Sequence, residues 1–311
     1  MPLLIRRSNL LVDAADTAAV EQAWRHDADA VTLDLESLPE QGKALARTRV
    51  KDAIAQCARG AAEVFVRVND SAMTADLEAA VWPGVTGIVL PRAESAADVA
   101  DAAETVTALE RERRIEVGSL QFIVQLASAA GVWNIRSILT ASPRISQVGL
   151  DETRLAATLG FDPLPDLDPF DYARGRLAVE ATAAKVAAIG MAYPLSVFPR
   201  PASAAQVHAL ATKARNSGMK GVLCPHPEWV APVNAAFTPT EELVTWNRRV
   251  REAFAAGIAA GTAAVPLDGR MIDVPVDEWA IVVIAMAEAC AARDAEKRAA
   301  LARSASLGLQ S

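Results

Sequence analysis

Two acidic side chains stand two residues apart in "VTLDLESLPE". They are Asp34 and Glu36, placed where an apolar, β-branched run gives way to Ser37, Pro39 and Glu40. An ionised carboxylate removed from water needs a cation or hydrogen-bond donors, so something elsewhere in the chain must answer this pair. The run "FVRVND" offers a partner, because Arg67 shares its parity with Phe65 and Asn69 and all three then lie on one face of a strand. A guanidinium is a planar fork that matches a carboxylate bidentately. Two readings stand: an ion-pair cluster that plugs and braces the structure, or a carboxylate-binding arginine beside acids that orient water or a metal.

Two further places carry groups that do chemistry. In "LCPHPEWV" His226 sits between Pro225 and Pro227, which restrain its backbone and suit either a structural turn or a group that must hold position. In "DGRMID" Asp268 and Gly269 read as a turn, and Asp273 stands in apolar company beside Met271, Ile272 and Val274. Such a carboxylate is a candidate general acid or base if its segment closes over a site. His26 and His208 fall in helical stretches, Arg248, Arg249 and Arg251 on a solvated face. Trp24, Trp82, Trp133 and Trp229 read as packing residues.

The elements that must position these groups follow from the periodicity. Short apolar runs predict strands at 8–12, 30–35, 63–68, 86–91, 119–124, 145–150, 193–198 and 220–225. Ala-rich segments with charges at helical spacing lie between them, at 16–27, 42–58, 96–112, 172–190 and 203–218. Strands alternating with helices imply a parallel sheet, and eight such units close most simply into a (β/α)8 TIM barrel. An open doubly wound sheet is the competitor, but no GxGxxG follows the first strand and no GxxxxGK[ST] occurs. The barrel is expected over 1–240. Residues 241–311 are expected as a C-terminal helical extension with a lid or oligomer contact: a helix from 238 to 261 capped by Thr238 or Thr240, a loop over 263–276, and a final helix. In a barrel of this kind functional groups gather at the carboxyl ends of the strands.

The bulk numbers agree. The chain has 311 residues, 52% hydrophobic and 22% charged, far from a disordered composition. Its net charge of -7 argues against nucleic acid as a partner. Cys57, Cys224 and Cys290 are odd in number and lack CxxC spacing, which points to neither a disulfide framework nor a zinc site and favours a reducing compartment. Arg6 and Arg7 interrupt the first apolar run, and "WAIVVIAMA" is too short to span a bilayer. A cytoplasmic protein with no membrane partner is expected.

Taken in order along the chain, the motifs resemble the citrate lyase β-subunit-like branch of the HpcH/HpaI aldolase family. "AVTLDLESLPEQGKALAR" is similar to the family's "ADAVILDLEDAV" segment, "VFVRVN" to its "VRVN", and "GIVLPRAES" to "GIVLPKVES". "GVWN" resembles the end of "IETAxGVxN", "PHPEWVAPVNAAFTPTEE" resembles "IHPxQVxxVNxxFTPS", and "DGRMIDVPV" resembles "DGxMIDxP". The match runs from about residue 6 to 275. It implies a (β/α)8 barrel, trimeric or hexameric, that cleaves or forms a carbon-carbon bond in malyl-CoA or citryl-thioester substrates with Mg2+ on the keto-acid part. By motif, Arg67 would hold the keto-acid carboxylate with Asn69 beside it, and Asp34 and Glu36 would lie near the metal. Asp273 would be the acid or base on the lid, and His226 and Pro227 would shape the thioester or CoA channel.

The departures fall on the metal. The resemblance places Ala127 where the family has the ligating Glu of "IETA", and Arg154 where it has the ligating Asp of "GAEDL". Ser37 replaces the second Asp of "LDLED", and Leu195 stands where the family has Asp in "IDTVY". Mg2+ depends on one or two carboxylates in an octahedral oxygen cage, which a methyl group and a guanidinium do not supply. One expectation is therefore that Arg154 replaces Mg2+ electrostatically and binds a substrate carboxylate itself. The other is that Asp151, Glu152 or Gln125 restores a metal site by a small register shift. The same departures leave two functions open, a carbon-carbon lyase and a ligand-binding pseudoenzyme of the same fold.

Overall fold

Eight short strands, almost wholly buried, run parallel through the molecule: β1 (Ser8–Asp13), β2 (Ala30–Asp34), β3 (Glu63–Arg67), β4 (Gly87–Leu90), β5 (Gln121–Leu126), β6 (Ile145–Leu150), β7 (Ala187–Ile189) and β8 (Val222–Cys224). The computed structural model describes residues 4–160, 169–191 and 202–308. The strand order is β7-β6-β5-β4-β3-β2-β1-β8, each strand parallel to its neighbours. Past the strand ends, Lys220 N donates to Ala188 O at 2.7 Å and Gly190 N to Gly221 O at 2.9 Å. These bonds bring the two edges of the sheet together, and it closes as the predicted (β/α)8 barrel.

The helices around it are α1 (Thr17–Ala23), α2 (Glu40–Cys57), α3 (Met73–Ala80), α4 (Ala96–Glu112), α5 (Ala129–Trp133), α6 (Ile135–Leu139), α7 (Glu152–Leu159), α8 (Asp171–Ala183), α9 (Ala204–Asn216) and α10 (Val230–Phe237). Local chemistry explains several boundaries. Ser95 with Asp98 and Ser203 with Gln206 form reciprocal capping boxes at α4 and α9. Asp151 caps α7 by accepting from Arg154 N, and Gly160, at φ 76°, ends it. Most of the apolar side chains form one continuous core between the strands and the surrounding helices.

The barrel interior is layered. At the amino ends of the strands the buried Arg6 guanidinium bonds Glu63, Gln121 Oε1 (2.8 Å) and Ser146 Oγ (3.0 Å) and lies 4.7 Å from the Phe65 ring centre. Above it Ala30, Phe65, Val89, Ile123 and Ile189 form a separate apolar cluster. The next layer, toward the carboxyl ends, is polar again and holds Asp34 and Arg67.

The compact unit built on Arg6–Phe237 contains the barrel, and a smaller one is built on Thr238–Ala299. Within the smaller unit are α11 (Glu241–Ala259), capped by Thr240, an antiparallel hairpin of β9 (Val265–Leu267) and β10 (Arg270–Ile272), and the start of α12 (Val274–Gly308). Where a loop is predicted there is thus a hairpin, whose two-residue turn has both Asp268 (φ 47°) and Gly269 (φ 76°) left-handed, the geometry that matches strand twist. None of the described helices is long and apolar enough to cross a membrane.

Three other expectations change. The seventh strand is Ala187–Ile189, inside a stretch read as one helix, and 193–198 lies outside the described residues, as does Leu195. The α8 helix stops at Ala183 because Lys185 turns left-handed (φ 60°) and Val186 N returns to Ala181 O at 2.9 Å. His26 lies in a bend beyond α1 and not on the helix. Trp133 is no packing residue: it ends α5 at 74% exposure, with the Arg176 guanidinium 5.5 Å from its ring centre.

Candidate active site

The parallel register sets Asp34 directly opposite Arg67 on β2 and β3, both turned into the barrel. Arg67 binds it bidentately, Nε to Oδ1 at 2.8 Å and Nη2 to Oδ2 at 2.6 Å. The chain then turns over Asp34, whose Oδ1 also accepts from Glu36 N (2.9 Å) and Ser37 N (3.4 Å). This turn directs Glu36 back to the same guanidinium, with Oε2 3.2 Å from Arg67 Nη1. Its other oxygen, Oε1, accepts from Arg154 Nη1. Ser37 Oγ accepts from Arg67 Nη2 at 2.8 Å.

Glu36 is therefore held between two guanidinia that come from opposite sides of the mouth. Arg154 arrives on the first turn of α7, its Nε 3.5 Å from Asp151 Oδ2. The helix is fixed from below by Glu152, which pairs with the buried Arg174 through both oxygens. Thr158, one turn after Arg154, donates to the carbonyl of Ala127 at 3.4 Å. The buried methyl of Ala127 and the guanidinium of Arg154 thus belong to adjoining segments.

Electrostatics divide the two acids. Burial alone would raise Asp34, but the hydrogen bonds and charge of Arg67, with Ser37 and the Glu36 amide, outweigh it and hold the carboxyl below its ordinary value. For Glu36 burial wins: it pushes the carboxyl up despite the charges of Arg67 and Arg154 and the hydrogen bond from Arg154. Burial would lower Arg67, and its bond to Asp34 with the surrounding acids raises it instead. Three of its five N–H groups are in hydrogen bonds and a fourth faces Glu36, which leaves one on Nη1. Arg154 is the freer cation, its side chain 41% exposed and its Nη2 in no described hydrogen bond.

The other predicted residues are placed differently. Asn69 is buried beside the cluster, but its amide is engaged in the loop, accepting from Ser71 and donating weakly to Glu36 O at 3.4 Å. His226 follows β8 at the same end of the barrel, its ring edge-on to Trp229 at 5.8 Å, and Pro227 after it is exposed. No described contact joins either to Arg67. Asp273 belongs to the smaller unit and is exposed, so its apolar company is not burial. Strand alternation turns Ile272 inward (1% exposed) and Met271 outward (64%). Asp273 caps α12, its Oδ1 accepting from Val276 N at 3.3 Å.

A cavity of about 140 Å3 adjoins the cluster and is lined in part by Leu11, Arg67, Gln125, Gly149, Ile189 and Leu223. Its volume matches a small organic acid, since a cavity of ~150 Å3 admits a benzene ring. Sequence reasoning weighed Gln125 only as a metal ligand and missed the Ser37 contact. The signal for Ser37 was local, an Asp followed two and three residues on by free amides at a strand end.

The family model for HpcH/HpaI aldolase/citrate lyase matches residues 7–227. Citrate lyase subunit beta of Escherichia coli K12 is 29% identical over 293 residues, covering 93% of this chain and 95% of that protein. L-malyl-CoA/beta-methylmalyl-CoA lyase of Cereibacter sphaeroides is 29% identical over 311 aligned positions, 92% of this chain and 96% of the relative. The fold is shared with CitE of Mycobacterium tuberculosis, solved with magnesium, acetoacetate and coenzyme A, at a TM-score of 0.68 and 24% identity, covering 90% of this chain and 97% of the other. A citrate lyase from Burkholderia xenovorans superposes at 0.75 with 16% identity, over 96% and 97% of the two chains. This chain belongs to the HpcH/HpaI aldolase/citrate lyase family.

Proposed function

We propose that the protein is a carbon-carbon lyase acting on a small hydroxy or keto acid, or its CoA thioester, in which Arg154 stands where its relatives use a divalent cation. The observation that carries this is Glu36, each of whose oxygens meets a guanidinium. Mg2+ binds through carboxylate oxygens, and the acids near the mouth are already engaged: Asp34 by Arg67, Glu36 by Arg67 and Arg154, Asp151 by the α7 amide and Arg154, Glu152 by Arg174. Among the described residues no three His, Cys, Asp or Glu side chains are grouped to hold a metal. The residues present do not fit Mg2+, neither at Ala127 and Arg154 nor through Asp151, Glu152 or Gln125.

The chemistry assigns distinct tasks. In the cleavage direction a base removes the substrate hydroxyl proton, and the oxygen's electron pair forms the carbonyl of the departing keto acid. The carbon-carbon bond breaks and its pair passes to the thioester carbonyl as an enolate, which is then protonated. Arg154, with free N–H groups, holds the acid's carboxylate and stabilises the alkoxide that forms as the hydroxyl proton leaves. Arg67 fixes Glu36 and contributes its remaining N–H. Asp273 is the acid or base by motif, His226 and Pro227 border the thioester channel, and the assembly is a cytoplasmic homo-oligomer, trimer or hexamer.

Turnover of malyl-CoA and citramalyl-CoA, followed by keto-acid release with and without EDTA, tests this. Product formation insensitive to EDTA and lost in Arg154→Ala is expected. Turnover that needs added Mg2+ overturns it. A second reading, a ligand-binding pseudoenzyme, is favoured by the near-saturation of Arg67, and binding of these thioesters without product would select it.

A further inference from the structure

One polar side chain at the barrel mouth has no place in the ion-pair cluster. Gln125 lies near the carboxyl end of β5, 8% exposed, and its Oε1 is buried with no hydrogen-bond partner among the described residues. The backbone carbonyl of Gln125 accepts from Ala93 N, so the side-chain oxygen is the acceptor left over. It faces the cavity that Arg67 also lines. A buried amide oxygen without a donor is destabilising, and native proteins keep few of them.

The cavity beside this amide is bordered by its neighbour. Gly149 is the register partner of Gln125 on β6 and also lines the cavity. A Cβ at Gly149 would stand 3.1 Å from both Cγ1 and O of Ile189, tighter than ordinary packing allows. Glycine at this position therefore lets Ile189 pack close against β6, and the cavity lies between the Gln125 amide and the apolar Leu11, Ile189 and Leu223.

We infer that Gln125 is the specificity-determining residue that reads the substrate's hydroxyl group, its amide oxygen accepting the hydroxyl hydrogen of a 2-hydroxy acid. This rests on the acid-binding reading of the Arg154 and Arg67 mouth. A hydroxyl both donates and accepts, so it satisfies the amide in either orientation, whereas a methylene at the same position leaves Oε1 unpaired. Sites built to pair a substrate hydroxyl reject the analogue that lacks it much more strongly than apolar pockets reject a size change.

Calorimetric titration of racemic malate and of succinate, which differ by the hydroxyl, decides the question. The wild-type protein is expected to bind malate about tenfold more tightly than succinate, as one hydrogen bond of about 1.4 kcal/mol implies. In Gln125→Leu and in the closer isostere Gln125→Met this ratio falls to near one, mostly through weaker malate binding. Melting curves of both variants are expected to match or exceed the wild type, because an apolar side chain removes an unpaired buried oxygen. Arg154→Ala should weaken both acids together and leave their ratio intact. An unchanged ratio in the Gln125 variants, with binding still dependent on Arg154, overturns the inference and leaves the acid site standing. Failure of the wild type to bind either acid overturns both.

Discussion

Removing Arg154 should be felt first by Glu36. In Arg154→Ala the Glu36 carboxylate stays buried but keeps only Arg67, which it shares with Asp34. Unit charges about 4 Å apart interact by about 4 kcal/mol at an effective dielectric of ~20. The Arg154 side chain is 41% exposed, and solvent screening brings the pair toward surface values. The expected loss is about 1–2 kcal/mol, an upward move of the Glu36 carboxyl by about one pH unit. That carboxyl already ionises above its ordinary value because burial dominates. A raised folded-state value means that the folded protein holds the proton more tightly than the unfolded chain, so ionising Glu36 costs stability. This cost is absent at low pH, appears as pH rises past the unfolded value near 4.5, and is complete above the folded value. The variant's extra cost should therefore be present at neutral pH and vanish in acid. Carbon-detected NMR of labelled Glu side chains gives the midpoint, and urea unfolding at several pH values gives the stability. A midpoint that does not move, or a stability loss equal at neutral and acid pH, refutes the pairing.

Two other outcomes follow from the site. In Ala127→Glu combined with Arg154→Asp, two carboxylates face the mouth and Glu36 is released from one guanidinium; calorimetry should detect Mg2+ binding tighter than about millimolar, where the wild type shows none. Asp273→Ala should destabilise α12 by about 0.5–2 kcal/mol through loss of its cap, whereas Asp273→Ser keeps the cap and the stability. Turnover lost in both separates a proton-transfer role from a capping one, and turnover retained in the serine variant removes Asp273 from the chemistry.

Much of this was legible because the relevant physics is local or periodic. The parity of Arg67 with Phe65 and the strand-ending acids foretold that guanidinium and carboxylates would meet, and the parallel register then set Asp34 opposite Arg67. The strand β7 was hidden because its three residues, Ala187, Ala188 and Ile189, continue an Ala-rich helix pattern, and the break is made by a lysine in a left-handed conformation. No propensity marks a lysine for that task. Asp273 stands in apolar company in the sequence, but a hairpin alternates its faces and exposes Met271, so that company does not enclose the carboxylate. The isolation of Gln125 could not be read at all, since an unpaired amide is defined by what every other strand fails to bring to it.

The apolar layer of Ala30, Phe65, Val89, Ile123 and Ile189 separates two buried ionic networks, Arg6 with Glu63 below and Asp34, Glu36 and Arg67 above. No described hydrogen bond crosses this layer. A side chain that rearranges at the mouth therefore has no chain of polar partners through which to rearrange the floor. The lower network can then fasten β3, β5 and β6 under any mouth. An exchange of a metal-binding rim for an arginine one is, on this architecture, a change in one storey of the barrel.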